Sequence, residues 1–405
     1  MTALTFDPYD YAFQDDPYPM YRRLREEAPL HHEQEHDFWV LSRHRDVHRA
    51  VRTDGVFSNR MGVTLDASAW TPYAHTTMSF LAMDPPEQTR LRKLVSKGFT
   101  PRRVAGLESG IQRITDHYLE ECLERSRDGG GFDWVTDLAG KIPMDVISEM
   151  LGVPEADRDE VRRLADLLVH REPGLRDVPP AGIEAAMTLF GYYGELLAEK
   201  KQHPADDLAS ALLHVEDGGD RMSDREIIAF LFLMVVAGNE TTTKLLGNAV
   251  FHLAAEPAQR DRVFADPSDV APVMAWIEET LRYDTSTQLL ARLLVDDLTV
   301  DGVTAPEGAR LLLALGAANH DDEVFTDPAR FDLDRDPAEL AQSVSFGGGR
   351  HFCLGANLAR LESRVVLRTL VRRTRTIEAD HESAVRFYSA NVRGFAELPV
   401  RVEVR

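Results

Sequence analysis

The sequence predicts a mainly α protein with a minor β-sheet region, read as one domain over residues 1–405. Three observations carry that class. One apolar stretch, residues 223–255, has the start signal and the length of a single long helix. Helical patterns fill most of residues 86–201 and return after Cys353. The β-like runs are few, short and separated by Gly and Pro. Length alone allows two or three domains, but no internal repeat and no Gly-, Ser- or Pro-rich linker divides the chain.

In chain order, residues 19–28 (PMYRRLREEA) form a short amphipathic helix ended before Pro29, and residues 38–42 (FWVLS) are aromatic and β-branched enough for a strand. Residues 61–80 sustain no period yet hold Trp70, Pro72, Tyr73 and Phe80; an unstructured stretch of this length is typically functional or disordered. The helical region that follows is interrupted by turn clusters at 128–131 (DGGG) and 172–180, and residues 214–222 (HVEDGGDRM) read as a loop. Ser223-Asp-Arg-Glu226 is a capping box, and Pro257 stops the helix it starts. At 1.5 Å per residue that helix is roughly 50 Å long. Its first half is apolar all round, so it belongs in the centre of the molecule. A further helix over 272–283, β-like runs at 298–303 and 309–315, and a helix from Cys353 to about residue 373 complete the pattern.

With 67 acidic and 46 basic side chains the net charge is −21, which argues against broad binding to nucleic acid or an anionic membrane. Two cysteines, Cys122 and Cys353, are too few for a disulfide framework or a cysteine-rich zinc module, and fit a reducing compartment. The first residues carry acids, aromatics and prolines where a signal peptide has a basic start and an apolar run. The longest uninterrupted apolar stretch, 227–238, is short of the ~18–20 residues that span a bilayer. A cytoplasmic protein without a membrane anchor is expected.

Chemistry concentrates first in Ser345-Phe-Gly-Gly-Gly-Arg-His-Phe-Cys-Leu-Gly355. A thiolate binds metal when its charge is stabilised, and the free N–H groups of a glycine-rich loop, with the start of the following helix, do this for Cys353. Gly347 and Gly349 permit a tight turn, and Gly355 lets the helix approach whatever sits on the sulfur. Phosphate binding is the competing use of such a loop, but no Lys-Ser/Thr follows and GxGxxG spacing is absent. Cys122, inside a helical pattern, is expected to be an inert core residue. The second segment is Ala237-Gly-Asn-Glu-Thr-Thr242, midway along the long helix. Glycine there costs about 1 kcal/mol relative to alanine, and a buried acid costs more unless partnered. Either the segment faces a cavity, or its threonines merely bond back to carbonyls and bend the helix.

FGGGRHFCLG resembles the haem-binding loop of the cytochrome P-450 superfamily, Phe-Gly-x-Gly-x-His-x-Cys-x-Gly, at every fixed position. The resemblance extends from Pro17-Tyr-Pro to Leu398-Pro-Val-Arg-Val and implies a single-domain P-450 fold with the long helix over haem b. It makes Cys353 the thiolate ligand of the iron, His351 a propionate partner and Phe346 a ring near the sulfur. An axial thiolate pushes electron density onto iron and favours O–O cleavage. The helical hexapeptide resembles the superfamily's oxygen-activation motif, Ala-Gly-x-(Asp/Glu)-Thr-Thr. Ala237 and Gly238 would leave room over the haem, Glu240 would relay protons and Thr241 would hydrogen-bond the bound oxygen. Glu279-Thr-Leu-Arg282 carries no information by itself, since Glu-x-x-Arg also begins at Glu87, Glu124, Glu155, Glu160 and Glu307. In the family's context it pairs with the arginine of Pro328-Ala-Arg-Phe331, here Arg330, in a structural network.

Haem propionates need cations or strong donors. Arg92 and Arg292 match the family's propionate arginines, whereas Gln88 stands where the family has His, so binding there is expected to be weaker or rearranged. The resemblance further implies dioxygen as substrate and a ferredoxin-type electron donor with its reductase. A basic face of Arg90, Arg92, Lys93, Lys97, Arg102, Arg103, Arg350, Arg360 and Arg364 is expected to meet that donor. The organic substrate is expected to be lipophilic (steroid, fatty acid, terpenoid or polyketide), touching 61–80, 167–187, Ala237, Thr241, Leu289 and Leu290, with a lid hinge at 172–180. A peroxide-driven peroxygenase and a non-catalytic haem-binding protein are the alternatives.

Overall fold

The structure is a computed structural model that describes residues 4–127, 129–172 and 174–405; Met1–Ala3 of the N-terminal segment, Asp128 of the expected turn and Pro173 of the expected hinge lie outside them. The long helix forms as its signals require. Ser223 Oγ accepts from Glu226 N, and the Glu226 carboxylate accepts from Ser223 N at 2.7 Å. From that cap the helix runs unbroken over Asp224–Ala254.

Two apolar cores meet on this helix. Its first half, with Ile227, Phe230 and Leu231, packs on Leu164, Leu189 and Tyr193 of the helices Arg158–Val169 and Pro180–Gln202. Its second half, with Leu246, Ala249 and Leu253, packs on Trp134, Trp276 and Val366. Each fully buried large apolar side chain contributes about 1.5–3 kcal/mol, so both ends are firmly anchored. Residues 237–242 lie at the junction, and Ala237, Gly238, Thr241 and Thr242 among them border an open space. In composition and length this helix could cross a membrane, yet it is mostly buried inside the protein as a core helix.

The larger sheet has the order Leu30–Glu33, Phe38–Leu41, Arg310–Ala314, Leu289–Leu294, Phe57–Ser58. Phe38–Leu41 is antiparallel to the first strand and parallel to Arg310–Ala314, which is antiparallel to Leu289–Leu294. Leu289–Leu294 (LLARLL) carries no strand signal in the sequence, because Leu, Ala and Arg favour helices and no alternation shows. It matters for the site: Leu289 and Ala291 turn into the core, leaving Leu290 and Arg292 on the opposite face. The expected loop at 214–222 contains a minimal hairpin, Glu216–Asp217 with Asp220–Arg221, turning on Gly218 (φ 62°) and Gly219 (φ 91°). The strands Thr374–Ala379 and Pro399–Val404 pair antiparallel and follow the last long helix, Ala356–Arg373.

Residues 61–80 hold only turns, one short helix, His75–Met78, and the start of a 3-10 turn, Ser79–Ala82. The segment is nevertheless fastened. Arg171 pairs with both Asp66 oxygens at 3.0 and 3.1 Å, and Asp177 accepts from Ser68 N and Oγ.

Arg330 is not in the Glu279 network. Its side chain is 63% exposed and comes only within 3.9 Å of Asp332. Arg335 takes the place expected for it, with Nε 3.0 Å from Glu279 Oε2, while Arg282 Nη2 lies 2.7 Å from Oε1. The turn from Asp327 (φ 45°) points the Arg330 carbonyl inward, where it accepts from Arg282 and Arg335, so its side chain must point out.

Candidate active site

A cavity of about 230 Å³ separates the central helix from the cysteine loop. Its walls are mainly apolar, with Val63, Phe80, Leu81, Leu233, Met234 and Leu290 among them. Ala237, Gly238 and Thr241 border it from the central helix, and Phe346, His351, Cys353 and Gly355 from the loop. Arg92 and Arg292 are its cations, hydroxyl side chains such as Thr242, Thr285 and Ser286 also line it, and no carboxylate borders the cavity among the described residues. Gln88 and Glu240 are not on its lining.

The loop owes its shape to two left-handed glycines, Gly347 (φ 67°) and Gly349 (φ 57°). Gly349 also lies against the backbone of Val51, whose carbonyl oxygen would be 2.7 Å from a Cβ. Cys353 N donates to Phe346 O, closing the loop and leaving the sulfur accessible in the cavity. Burial pushes the Cys353 thiol up, against the N–H groups of Gly355 and Ala356 and the charges of Arg92 and Arg360, which favour thiolate. A Cβ at Gly355 would sit 4.0 Å from Sγ, an ordinary contact, so the protein's own atoms do not require glycine there. Arg360 also lies over the Phe346 ring, 4.7 Å from its centroid.

On the rim, Arg292 is buried and its guanidinium donates to Ala291 O; burial lowers it to about 10. His351 has a buried Nδ1 without a partner, and burial together with the charges of Arg292 and Arg92 lowers its imidazole to about 4. Arg92 donates to Phe352 O at 2.6 Å. Gln88 donates to Arg350 O at 2.9 Å, so it ties the helix Glu87–Ser96 to the cysteine loop rather than reaching the rim. Two arginines and an unpartnered imidazole, above a lone thiol and between apolar walls, match a flat apolar ring with an iron at its centre and two carboxylates at its edge. These residues fit haem.

On the helix, Thr241 Oγ1 donates to Ala237 O at 3.0 Å, and Gly238 lets Ile147 approach to where a Cβ would be 3.3 Å from Cδ1. Glu240 lies one turn from Lys244, with Nζ 2.8 Å from Oε1. Lys244 was not singled out by sequence, although its spacing of four from an acid on an apolar helix was a usable signal. Of the expected substrate contacts, Leu290 borders the cavity and Leu289 does not; none of residues 167–187 does. Most of the expected basic face is already paired: Arg90 with Asp220 and Glu226, Lys93 and Lys97 with Asp217, Arg350 with Asp54, Arg360 with Glu278, Arg364 with Glu108. Arg102 and Arg103 are exposed and have no acidic partner among the described residues. Cys122 is buried in the core, which raises its thiol to about 11.

The family model for cytochrome P450 matches residues 183–399. A Mycobacterium tuberculosis protein carried under the name cytochrome P450 123 is 53% identical over 402 residues, covering 99% of this chain and 98% of its own. The vitamin D(3) 25-hydroxylase of Pseudonocardia autotrophica is 39% identical over 408 residues, with 98% and 97% covered. Among solved structures, cytochrome P450 CYP109Q5 from Chondromyces apiculatus superposes with a TM-score of 0.87 at 32% identity, covering 99% of both chains. The class is therefore that of the haem-containing oxidoreductases that incorporate oxygen. The chain belongs to the cytochrome P450 family.

Proposed function

We propose that residues 1–405 act as one cytoplasmic haem b monooxygenase domain that inserts one atom of dioxygen into a lipophilic small molecule. The other atom leaves as water, with two electrons supplied through a ferredoxin-type donor and its reductase and two protons from solvent. The observation that carries this reading is the position of Cys353, accessible beneath Ala237, Gly238 and Thr241 across an apolar cavity whose rim holds cations and, among the described residues, no carboxylate. The Pseudonocardia relative, named for hydroxylating vitamin D(3), supports a large lipophilic substrate.

Cys353 is the proposed iron ligand, and haem b bound there would supply the activation of dioxygen. Arg92, Arg292 and His351 would hold the propionates, with Gln88 acting indirectly by fixing the loop. Phe346 would pack beside the sulfur, and Gly355 would keep the start of the Ala356–Arg373 helix slim. Over the cavity, Ala237 and Gly238 present no bulk, while Thr241 Oγ can hold a proton at its wall, released by rotation away from Ala237 O. Glu240 is the acid that replenishes it. Apolar walls exclude bulk water from the same space.

Reconstitution with a ferredoxin, its reductase, a reduced nicotinamide donor and ¹⁸O₂ tests this. A lipophile selected by its spin-state shift should gain one labelled oxygen. Thr241→Ala should lower product per electron pair and release hydrogen peroxide. Label gained only from added peroxide would instead assign a peroxygenase, and no product by either route would leave a haem-binding protein.

A further inference from the structure

The helix Glu87–Ser96 works on two faces. Gln88 and Arg92, one turn apart, donate to Arg350 O and Phe352 O and hold one face to the cysteine loop. Arg90, Lys93 and Lys97 at its C-cap follow at spacings of three and four, so they line up on the other. The hairpin of Glu216–Asp217 and Asp220–Arg221 lies along that second face. Lys93 Nζ is 2.5 Å from Asp217 Oδ2, while Lys97 Nζ is 3.3 Å from Asp217 Oδ1 and donates to Glu216 O at 2.5 Å. Arg90 holds both Asp220 oxygens, at 2.7 and 3.0 Å, and donates to Arg221 O at 2.9 Å.

Apart from these pairs the hairpin is lightly held. Each strand is two residues long, and a pair of strands is marginal by itself in water. Gly218 and Gly219 form its tip, where a Cβ on either would meet nothing within 4 Å. Exposed ion pairs bind weakly and salt screens them, and the Lys93 and Lys97 side chains are 62% and 44% exposed. If the hairpin lifts, Arg90 keeps Glu226, 2.6 Å from its Nη1 and fixed in the capping box. Lys93 and Lys97 have no other acidic partner among the described residues. A helix with its side chains is about 10–12 Å across, close to the Debye length of about 10 Å at ~0.1 M salt. Charges on the covered face therefore act on a partner seated at the exposed Phe352 of the cysteine loop.

We propose that this hairpin is a built-in competitor of the electron donor. The acids of an acidic ferredoxin displace Asp217 from Lys93 and Lys97, so this face joins the docking surface only while the donor is present. The proposal rests on the ferredoxin-type donor of the reading above. Arg102 and Arg103, exposed and without acidic partners, attract the donor first, and the two lysines then secure it. The hairpin leaves the electron-transfer step as it is and sets how fast the complex forms. It also selects among donors, because a protein with too few acids cannot replace Asp217 at both lysines.

Stopped-flow reduction of the haem-loaded protein by a pre-reduced acidic two-iron ferredoxin tests this, with a spin-shifting lipophile bound. Rates are compared per carbon-monoxide-binding haem, so a loss of fold is not read as a loss of docking. Asp217→Asn should raise the second-order rate several-fold at low ionic strength, steepen its fall with salt and converge on wild type at high salt. In a Lys93→Gln, Lys97→Gln background the same substitution should give no gain, because it uncovers no charge there. Amide exchange over 216–221 in the wild type should quicken when oxidised ferredoxin is added. Three results overturn the competitor alone: an Asp217→Asn rate at or below wild type, a gain that survives in the double-lysine background, or exchange over 216–221 that slows or stays the same with ferredoxin. A wild type that dithionite reduces and the ferredoxin does not overturns the donor reading, and the competitor with it.

Discussion

Arg335 reaches Glu279 from 56 residues further along the chain, with Nε 3.1 and 3.0 Å from its two oxygens, and both side chains are buried. Arg282 takes the same carboxylate from one turn away and also donates to the carbonyls of Asn319, Pro328 and Arg330. One carboxylate thus fastens the helix Ala271–Tyr283 to the chain that leads into the cysteine loop.

Truncating Arg335 leaves that carboxylate buried and short of charge. Arg335→Ala should cost about 3–5 kcal/mol and Arg330→Ala, at an exposed side chain, should stay within about 0.5 kcal/mol. Urea unfolding of the two variants checks this. Equal losses would mean that the network does not depend on Arg335.

The two loop glycines should differ as well. Gly347→Ala meets nothing nearer than 4.0 Å and pays only for its left-handed backbone, about 1–2 kcal/mol. Gly349→Ala carries the same strain and adds a Cβ 2.7 Å from Val51 O and 3.0 Å from Arg52 Cα. It should cost about 3 kcal/mol or more. Denaturant midpoints together with haem retention should rank them in that order.

The helical class, the long capped helix, the cysteine loop and the acid–hydroxyl segment were all legible because each is written in consecutive residues. What the sequence could not show depends on residues far apart. Arg330 and Arg335 stand five apart on one exposed-looking stretch, and only the turn from Asp327 decides which faces Glu279. Gln88 was expected at the rim, and its amide instead finds Arg350 O, 262 residues away. Leu289 and Leu290 look alike until the strand pairing sends one to the core and the other to the cavity. The basic face overestimated free charge because the acids that neutralise it, such as Asp54, Asp217 and Glu278, are distant in sequence.

His320 gives an acid limit. Its Nε2–H donates to Tyr283 O at 2.6 Å, and burial, with Arg282, lowers its imidazole to about 3. Between roughly pH 6.5 and 3 the unfolded chain binds a proton that the folded chain refuses, so stability from this group is full above 6.5 and falls as pH falls. The loss approaches ~1.4 kcal/mol per unit, roughly 4–5 kcal/mol in all. His320→Phe, though weakened at neutral pH by the lost hydrogen bond, should show a shallower decline of urea midpoint from pH 7 to 4. An unchanged slope would place the acid sensitivity elsewhere.

Electron delivery should depend on the cations left free. The helix Pro101–Gly106, which carries the exposed Arg102 and Arg103, packs on Ala356–Arg373, the helix that follows the cysteine loop. Phe352, 44% exposed, offers an apolar contact on the cysteine loop. Charge reversal at Arg102 and Arg103 should slow reduction by an acidic ferredoxin several-fold at low salt and weaken its salt dependence. Arg364→Glu, whose partner is Glu108, should instead act mainly through stability. Stopped-flow reduction across ionic strength separates the two.

The central claim is that Cys353 holds haem iron as a thiolate. The carbon-monoxide difference spectrum of the reduced protein tests it most directly. A strongly red-shifted thiolate Soret band, with its loss in Cys353→Ser, is the predicted result. A band without that shift in correctly folded wild-type protein, or a shifted one that survives Cys353→Ser, would contradict the account.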